Sequence, residues 1–172
     1  MCNPDGCGFV SSSGLSYRGL SFKTFLKEIS KVRLDEECII HFRYATHGSI
    51  KRANCHPFDH NGLWFAHNGI LSVTPRGDMT DSETAFLDIL SPVADRYGVD
   101  SPQMRTAVGC VIGYSKFAFM KDGKVTMFGN FERHNGRYYS NIRHFAFMRQ
   151  SPKATSKSIS WEDYLNLRYS TR

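Results

Sequence analysis

The stretch from Ile39 to Leu71 holds the densest group of side chains that could do chemistry. It contains most of the histidines, Arg43 between two aromatic residues, and two Asn-Gly steps. Its apolar runs are too short for helices and are interrupted by turn residues, so the pattern predicts strands joined by loops. Polar side chains packed between buried strands must find hydrogen-bond partners or a ligand. We therefore expect this stretch to form a functional site.

Arg43 is the first candidate for ligand binding. It lies in the segment HFRYATHG, at the end of a buried strand predicted over Cys38 to Ala45. A buried guanidinium needs a carboxylate partner, and its planar fork suits bidentate capture. That carboxylate could belong to a ligand or to an aspartate of the same protein. Thr46 and His47, at the end of the strand, could bind the other end of a small polar ligand.

The step Asn68-Gly69 follows His67 at the end of a second predicted strand. A turn there can direct a backbone N–H and an amide side chain at one point, which is the geometry of an oxyanion hole. An ordinary β-hairpin with a return strand over 70–73 explains the same pattern.

Zinc binding is an alternative use of the cysteines and histidines. Cys38 and His41 lie three apart on a predicted strand, so their side chains point to opposite faces. The chain also lacks a CxxC pair, the more diagnostic zinc signature. We therefore predict neither a metal nor a cofactor.

The surrounding pattern predicts an α+β fold. Ser21 can cap a helix over 22–32 that has an apolar face, and Thr80 with Glu83 forms a capping box for a helix toward Tyr97. Pro92 should kink or split that second helix. Strands are predicted over 9–12, 63–66, 106–114, 116–121, 124–128 and 138–141, with an Asp-Gly turn at 122–123.

Composition bounds the remaining possibilities. The 172 residues suit one domain with a full core, and the net charge of +6 favours contact with anions. The basic residues are mostly scattered, so a nucleic-acid partner is unfavoured and stays the weakest alternative.

The chain has no apolar run of about 18 residues and no signal-peptide pattern, which predicts no membrane association and a cytoplasmic protein. Cys38 and Cys110 lie in apolar runs and are predicted to be small buried hydrophobes.

Four motifs in register carry a family resemblance. HFRYATHG, NCHPF, HNGIL and TDSET together resemble the class II glutamine amidotransferases of the N-terminal nucleophile hydrolase superfamily. NPDGCGF and NGRYYSN resemble further segments of small stand-alone or phage-type members. The resemblance implies a four-layer αββα sandwich over residues 1–148, followed by a basic extension with a short helix over 149–172. It implies glutamine or a similar small amide as substrate.

The resemblance also assigns roles to binding residues. Arg43 would bind the α-carboxylate of glutamine and Asp81 its α-ammonium, while Asn68 and Gly69 would form the oxyanion hole. The remaining positions that would line the pocket are Tyr44, Thr46 and His47.

The nucleophile implied by the resemblance is Cys2, exposed when Met1 is removed. Its own α-amine, with a pKa near 8, would accept the thiol proton. Family members place a buried strand and a helix between the cysteine and the segment like NPDGCGF, whereas this chain places none, so we expect the fold to lack them.

Two functional hypotheses follow from these roles. The first is an amide hydrolase that acts through Cys2 and supplies ammonia to an acceptor enzyme bound in trans. The second is an inactive relative that keeps the pocket as a ligand-binding or protein-interaction module.

Overall fold

The strands of this computed structural model, which describes residues 5–45 and 49–141, form antiparallel sheets. In these residues the strands are β1 (Cys7–Ser11), β2 (Ser16–Gly19), β3 (Cys38–Phe42), β4 (Phe58–His60), β5 (Leu63–Asn68), β6 (Lys116–Lys121), β7 (Lys124–Phe128), β8 (Glu132–His134) and β9 (Arg137–Tyr139). The first sheet has the order β2-β1-β3 and the second the order β4-β5-β6-β7, while β8 pairs only with β9. The result is a mixed α/β architecture with several antiparallel sheets and few helices.

The helices occupy the intervals between the strands. They are α1 (Phe22–Ile29), α2 (Asp81–Ala85), α3 (Ser91–Tyr97) and α4 (Pro102–Val111). A 3₁₀ turn covers Arg52–Asn54, and a π-helical turn over Phe86–Leu90 joins α2 to α3.

Helix α1 covers one face of the first sheet. The Ser21 hydroxyl accepts a hydrogen bond from the backbone N–H of Thr24 at 3.2 Å, which confirms the predicted cap. The buried ring of Phe25 meets Phe9 of β1 edge to face, with ring centroids 5.9 Å apart. The helix ends at Ile29, one turn earlier than predicted, but its apolar face packs as expected.

The other face of the first sheet packs against the second sheet. Side chains alternate along β1, so Phe9 faces α1 and Val10 faces the opposite way. Val10 and Ile39 form one apolar cluster with Ala66 and Met120 of the second sheet. Burial on both faces explains why β1 is apolar without alternation.

The second sheet carries the largest core on its remaining face. Phe65 of β5 is fully buried and stacks on Phe86, with ring centroids 5.1 Å apart. Phe117 and Phe119 of β6 contact the same ring at 5.1 and 4.9 Å. This aromatic cluster fixes the helices against the sheet.

The second predicted helix begins and divides as expected. The Thr80 hydroxyl accepts a hydrogen bond from the backbone N–H of Glu83 at 3.1 Å. Pro92 lies in the first turn of α3, directly after the π-helical turn. A proline there removes one helical hydrogen bond, which accounts for the division.

The strand predicted over 106–114 is wrong, because these residues belong largely to α4. The Ser101 hydroxyl caps the helix by accepting from the N–H of Met104 at 3.1 Å, and Pro102 occupies the first turn. Met104 and Val108, four residues apart, are buried on the same face. Cys110 is exposed on this helix, so its predicted burial is also wrong.

The hairpin predicted at Asn68-Gly69 is wrong as well. Strand β5 pairs with β4 and β6, and within the described residues no strand starts at Ile70. The β4–β5 hairpin turns at Asn61-Gly62 instead, with φ of 49° and 73°. The turn predicted at 122–123 is confirmed between β6 and β7, with φ of 51° and 75°.

Two further predictions concern membrane-spanning helices and the domain boundary. In the part of the chain that the structure describes, no helix has the length and apolar character needed to cross a membrane. The predicted boundary at 148/149 and the extension beyond it lie outside the described residues.

Replacing Phe65 by alanine should lower the free energy of unfolding by about 3–5 kcal/mol, because it opens a cavity among three aromatic rings. Urea unfolding measures the change. Tyr114→Ala, at a fully exposed aromatic, is the control and should change stability by less than about 0.5 kcal/mol. Equal effects of the two substitutions would contradict the assigned core.

Candidate active site

Arg43 lies immediately after β3, and its side chain is only 5% exposed. Its backbone extends the β1–β3 ladder: its N–H donates to the carbonyl of Gly6 at 2.8 Å, and its carbonyl accepts from the N–H of Asp5 at 3.3 Å. The Asp5 carboxylate also accepts from the N–H of Ala45 at 2.8 Å. Asp5 therefore holds the chain from Arg43 to Ala45, a role that the turn pattern of NPDG does not predict.

The other residues expected near Arg43 are only partly described. The side chain of Tyr44 is 58% exposed. Cys2, Thr46 and His47 lie outside the described residues, so their roles stay predictions.

Asp81 is the first residue of α2 and joins two segments through its carboxylate. Oδ2 accepts a hydrogen bond from the backbone N–H of Leu71 at 3.0 Å. Oδ1 accepts from the backbone N–H of Ser82 at 2.8 Å and from the Ser82 hydroxyl at 3.2 Å. A carboxylate has about four acceptor positions, so Asp81 retains the capacity to bind a cationic group of a ligand.

His67 continues this hydrogen-bond chain. Its Nδ1 lies 2.7 Å from the Ser82 hydroxyl oxygen. That hydroxyl also bonds to Oδ1 of Asp81, so Ser82 links the imidazole to the carboxylate. The Nε2 atom of His67 is buried and has no hydrogen-bond partner within the described ranges.

Three histidines connect the two main sheets: His56 and His67 are buried, and His41 is half-buried. His41 of β3 donates from Nε2 to the backbone carbonyl of His67 in β5 at 3.0 Å. The ring of His56 lies 4.4 Å from that of His41 and 6.3 Å from that of His67, between centroids. We call His41, His56 and His67 the histidine row. It extends from the strand that carries Arg43 to the helix that carries Asp81.

Burial keeps the histidine row neutral. It lowers the pKa of His41 to about 4 and that of His67 to about 4. The pKa of His56 is lowered well below 6.5, first by burial and then by its basic neighbours, Arg43 among them. The histidine row between the strand of Arg43 and the helix of Asp81 is therefore uncharged at neutral pH.

Gly8 allows the loop with His56 to approach β1. A Cβ at this position would lie 2.1 Å from the carbonyl oxygen of His56 and 2.7 Å from that of Tyr17. Any side chain would push the loop away and displace His56. The second glycine of DGCG is thus needed for packing of the site.

Asn68 is the last residue of β5 beside this arrangement, and Gly69 follows it. The Asn68 side-chain amide donates to the hydroxyl of Ser140 at 2.9 Å. Gly69 has φ of +141°, and a Cβ there would lie 2.2 Å from the Ser115 hydroxyl oxygen and 2.9 Å from its Cα. The glycine is therefore required by close packing rather than by a hairpin.

The described cysteines are poor nucleophiles where they are buried. Burial is the main cause that raises the pKa of Cys7 and of Cys38 to about 11, and it also raises the pKa of Cys55. Their thiols are protonated at neutral pH, whereas the thiolate is the reactive form. Among residues 5–45 and 49–141, no group of three or more histidine, cysteine or carboxylate side chains could hold a metal ion.

A known protein family matches most of this chain. The family model described as class-II glutamine amidotransferases matches residues 23–155. This range covers most of the chain and includes Arg43, Asn68, Gly69 and Asp81. No curated protein matches the sequence.

The histidine row should make the protein sensitive to acid. An unfolded histidine titrates near pH 6.5, so the unfolded state binds more protons than the folded state below that pH. The contribution is complete above about pH 6.5 and is lost as pH falls toward 4, by roughly 3 kcal/mol for each of His41 and His67. Urea unfolding from pH 7 to pH 4.5 measures this loss.

The variant His41→Gln should show a weaker loss of stability over the same pH range. His60→Gln, which changes an exposed histidine, should retain the wild-type dependence. Identical pH dependence in all three proteins would rule out burial of neutral imidazoles as the cause.

Proposed function

Because the chain belongs to the class II glutamine amidotransferases, we propose that it hydrolyses the side-chain amide of glutamine or of a related γ-glutamyl compound. The observation that carries this proposal is the placement of Arg43 and Asp81. A buried guanidinium and a carboxylate lie on the elements at the two ends of a row of neutral histidines, and their charges are complementary to the two charged groups of an amino acid. In this assignment Arg43 holds the α-carboxylate and Asp81 the α-ammonium.

Asn68 and Gly69 form the proposed oxyanion hole. One N–H of the Asn68 amide is held by Ser140, which orients the group and leaves its second N–H available. The backbone N–H of Gly69 supplies the other donor, and Ser115 fixes that backbone by close contact. Two oriented donors stabilise the developing negative charge on the amide oxygen.

Cys2 is the proposed nucleophile. Its thiol proton passes to its own α-amine, and the thiolate attacks the amide carbon of the substrate. Ammonia leaves with a transferred proton, and water then hydrolyses the γ-glutamyl thioester to release glutamate and the thiol. The high pKa values of Cys7, Cys38 and Cys55 support this choice, because they disfavour those thiols as nucleophiles.

The proposed fold is the four-layer αββα sandwich. Three apolar clusters support it: one between α1 and the first sheet, one between the two sheets, and one between the second sheet and helices α2–α4. We also propose a cytoplasmic protein, which the free buried thiols of Cys7 and Cys55 support, and an acceptor enzyme that takes the ammonia in trans.

Glutamate release from glutamine tests the proposal, with the intact mass showing whether Met1 has been removed. Cys2→Ala should reduce the rate at least about 1,000-fold, since it removes the attacking sulfur. Cys110→Ala, at an exposed thiol on α4, is the matched control and should keep the wild-type rate.

Equal rates in wild-type protein and Cys2→Ala would contradict the Cys2 mechanism. If glutamine raises the thermal stability of both proteins but neither releases glutamate, the chain is instead the inactive relative that uses the same pocket for binding.

A further inference from the structure

A second cavity lies next to the Asn68-Gly69 segment. It is a groove of about 430 Å³ between the end of α4 and the adjoining ends of β6 and β7. The lining residues that matter for its chemistry are Arg105, Gly109, Tyr114, Ser115, Lys116 and Gly129. Two of them are cations, and no described residue that lines the groove carries a carboxylate.

The charges of this groove differ from those of the other surface cavity. That cavity, of about 370 Å³, combines Lys121 and Lys124 with three aspartates. Its Lys121 already donates to the backbone carbonyl of Asn61 at 2.7 Å. In the groove, by contrast, neither Arg105 nor Lys116 makes an ion pair with any residue in 5–45 or 49–141. Two cations lining one concave surface attract an anion and repel each other without one.

Gly109 keeps the groove open. It lies inside α4, where glycine is less favourable than alanine by up to about 1 kcal/mol. A Cβ at this position would meet no atom within 4 Å, so packing does not require a glycine. Its backbone does not adopt a positive φ either. The missing side chain therefore leaves space in the groove but makes the helix less stable. A ligand that occupies this space would account for the glycine.

The inner wall of the groove is also the support of the Asn68-Gly69 segment. The Ser115 hydroxyl donates to the carbonyl of Ile70 at 3.1 Å, and Ser115 packs directly on Gly69. Lys116 pairs with Asn68 in the β5–β6 register. A ligand in the groove thus contacts the residues that hold Asn68 and Gly69 in place.

We propose that this groove binds a small phosphorylated molecule, with Arg105 and Lys116 holding the phosphate group. Arg105 supplies a planar fork for two phosphate oxygens, and Lys116 adds a point charge. Gly109 leaves room for the rest of the ligand. The proposal does not depend on hydrolysis of glutamine.

Isothermal titration with inorganic pyrophosphate at low ionic strength tests this site. The double variant Arg105→Gln/Lys116→Gln should weaken binding at least about tenfold, which is about 1.4 kcal/mol. Lys23→Gln/Lys27→Gln, which removes the same charge from the exposed face of α1, should bind as the wild type does. Gly109→Leu should also weaken binding, because leucine favours the helix but fills the groove.

Two results would overturn the proposal: no binding of pyrophosphate to the wild-type protein, or equal affinity in both double variants. Cys2→Ala should bind pyrophosphate with wild-type affinity. This variant therefore distinguishes a lack of phosphate binding in the groove from a lack of the proposed glutaminase activity.

Discussion

The hydrogen bond from His41 to the backbone carbonyl of His67 is the contact on which the site depends. It joins the first sheet to the second at the strand ends that carry Arg43 and Asn68. From His67 the chain of hydrogen bonds continues through Ser82 to Asp81. One connected network therefore sets the relative position of the two sheets and of the helix that begins at Asp81, and the imidazoles must stay neutral to remain buried in it.

Close packing around this network limits which residue types can occupy the neighbouring positions. Gly8 admits the loop of His56, and Gly69 admits Ser115, because a Cβ at either position would overlap with neighbouring atoms. Asp5 holds the strand end at Arg43 through its carboxylate. These contacts come from segments far apart in sequence, so the geometry of the pocket is a property of the assembled fold.

The parts of the fold set by local interactions could be predicted from sequence. The caps at Ser21 and Thr80 are local, and the family resemblance is confirmed by the match over residues 23–155. The apolar residues of α4 predict a strand, whereas the Ser101 cap and the buried face of the helix favour the helix. The role of Gly69 depends on Ser115, and that of the histidine row on contacts between sheets, which no short-range pattern contains.

Recognition of the α-carboxylate by Arg43 is the central claim, and titration calorimetry tests it most directly. Cys2→Ala protein, which should not turn over substrate, is titrated with L-glutamine and with 4-aminobutanamide, the same molecule without the α-carboxylate. Glutamine should bind at least about tenfold more tightly, a difference of about 1.4 kcal/mol, and the further change Arg43→Gln should abolish that preference. An undiminished preference for glutamine in the Arg43→Gln protein would contradict the account.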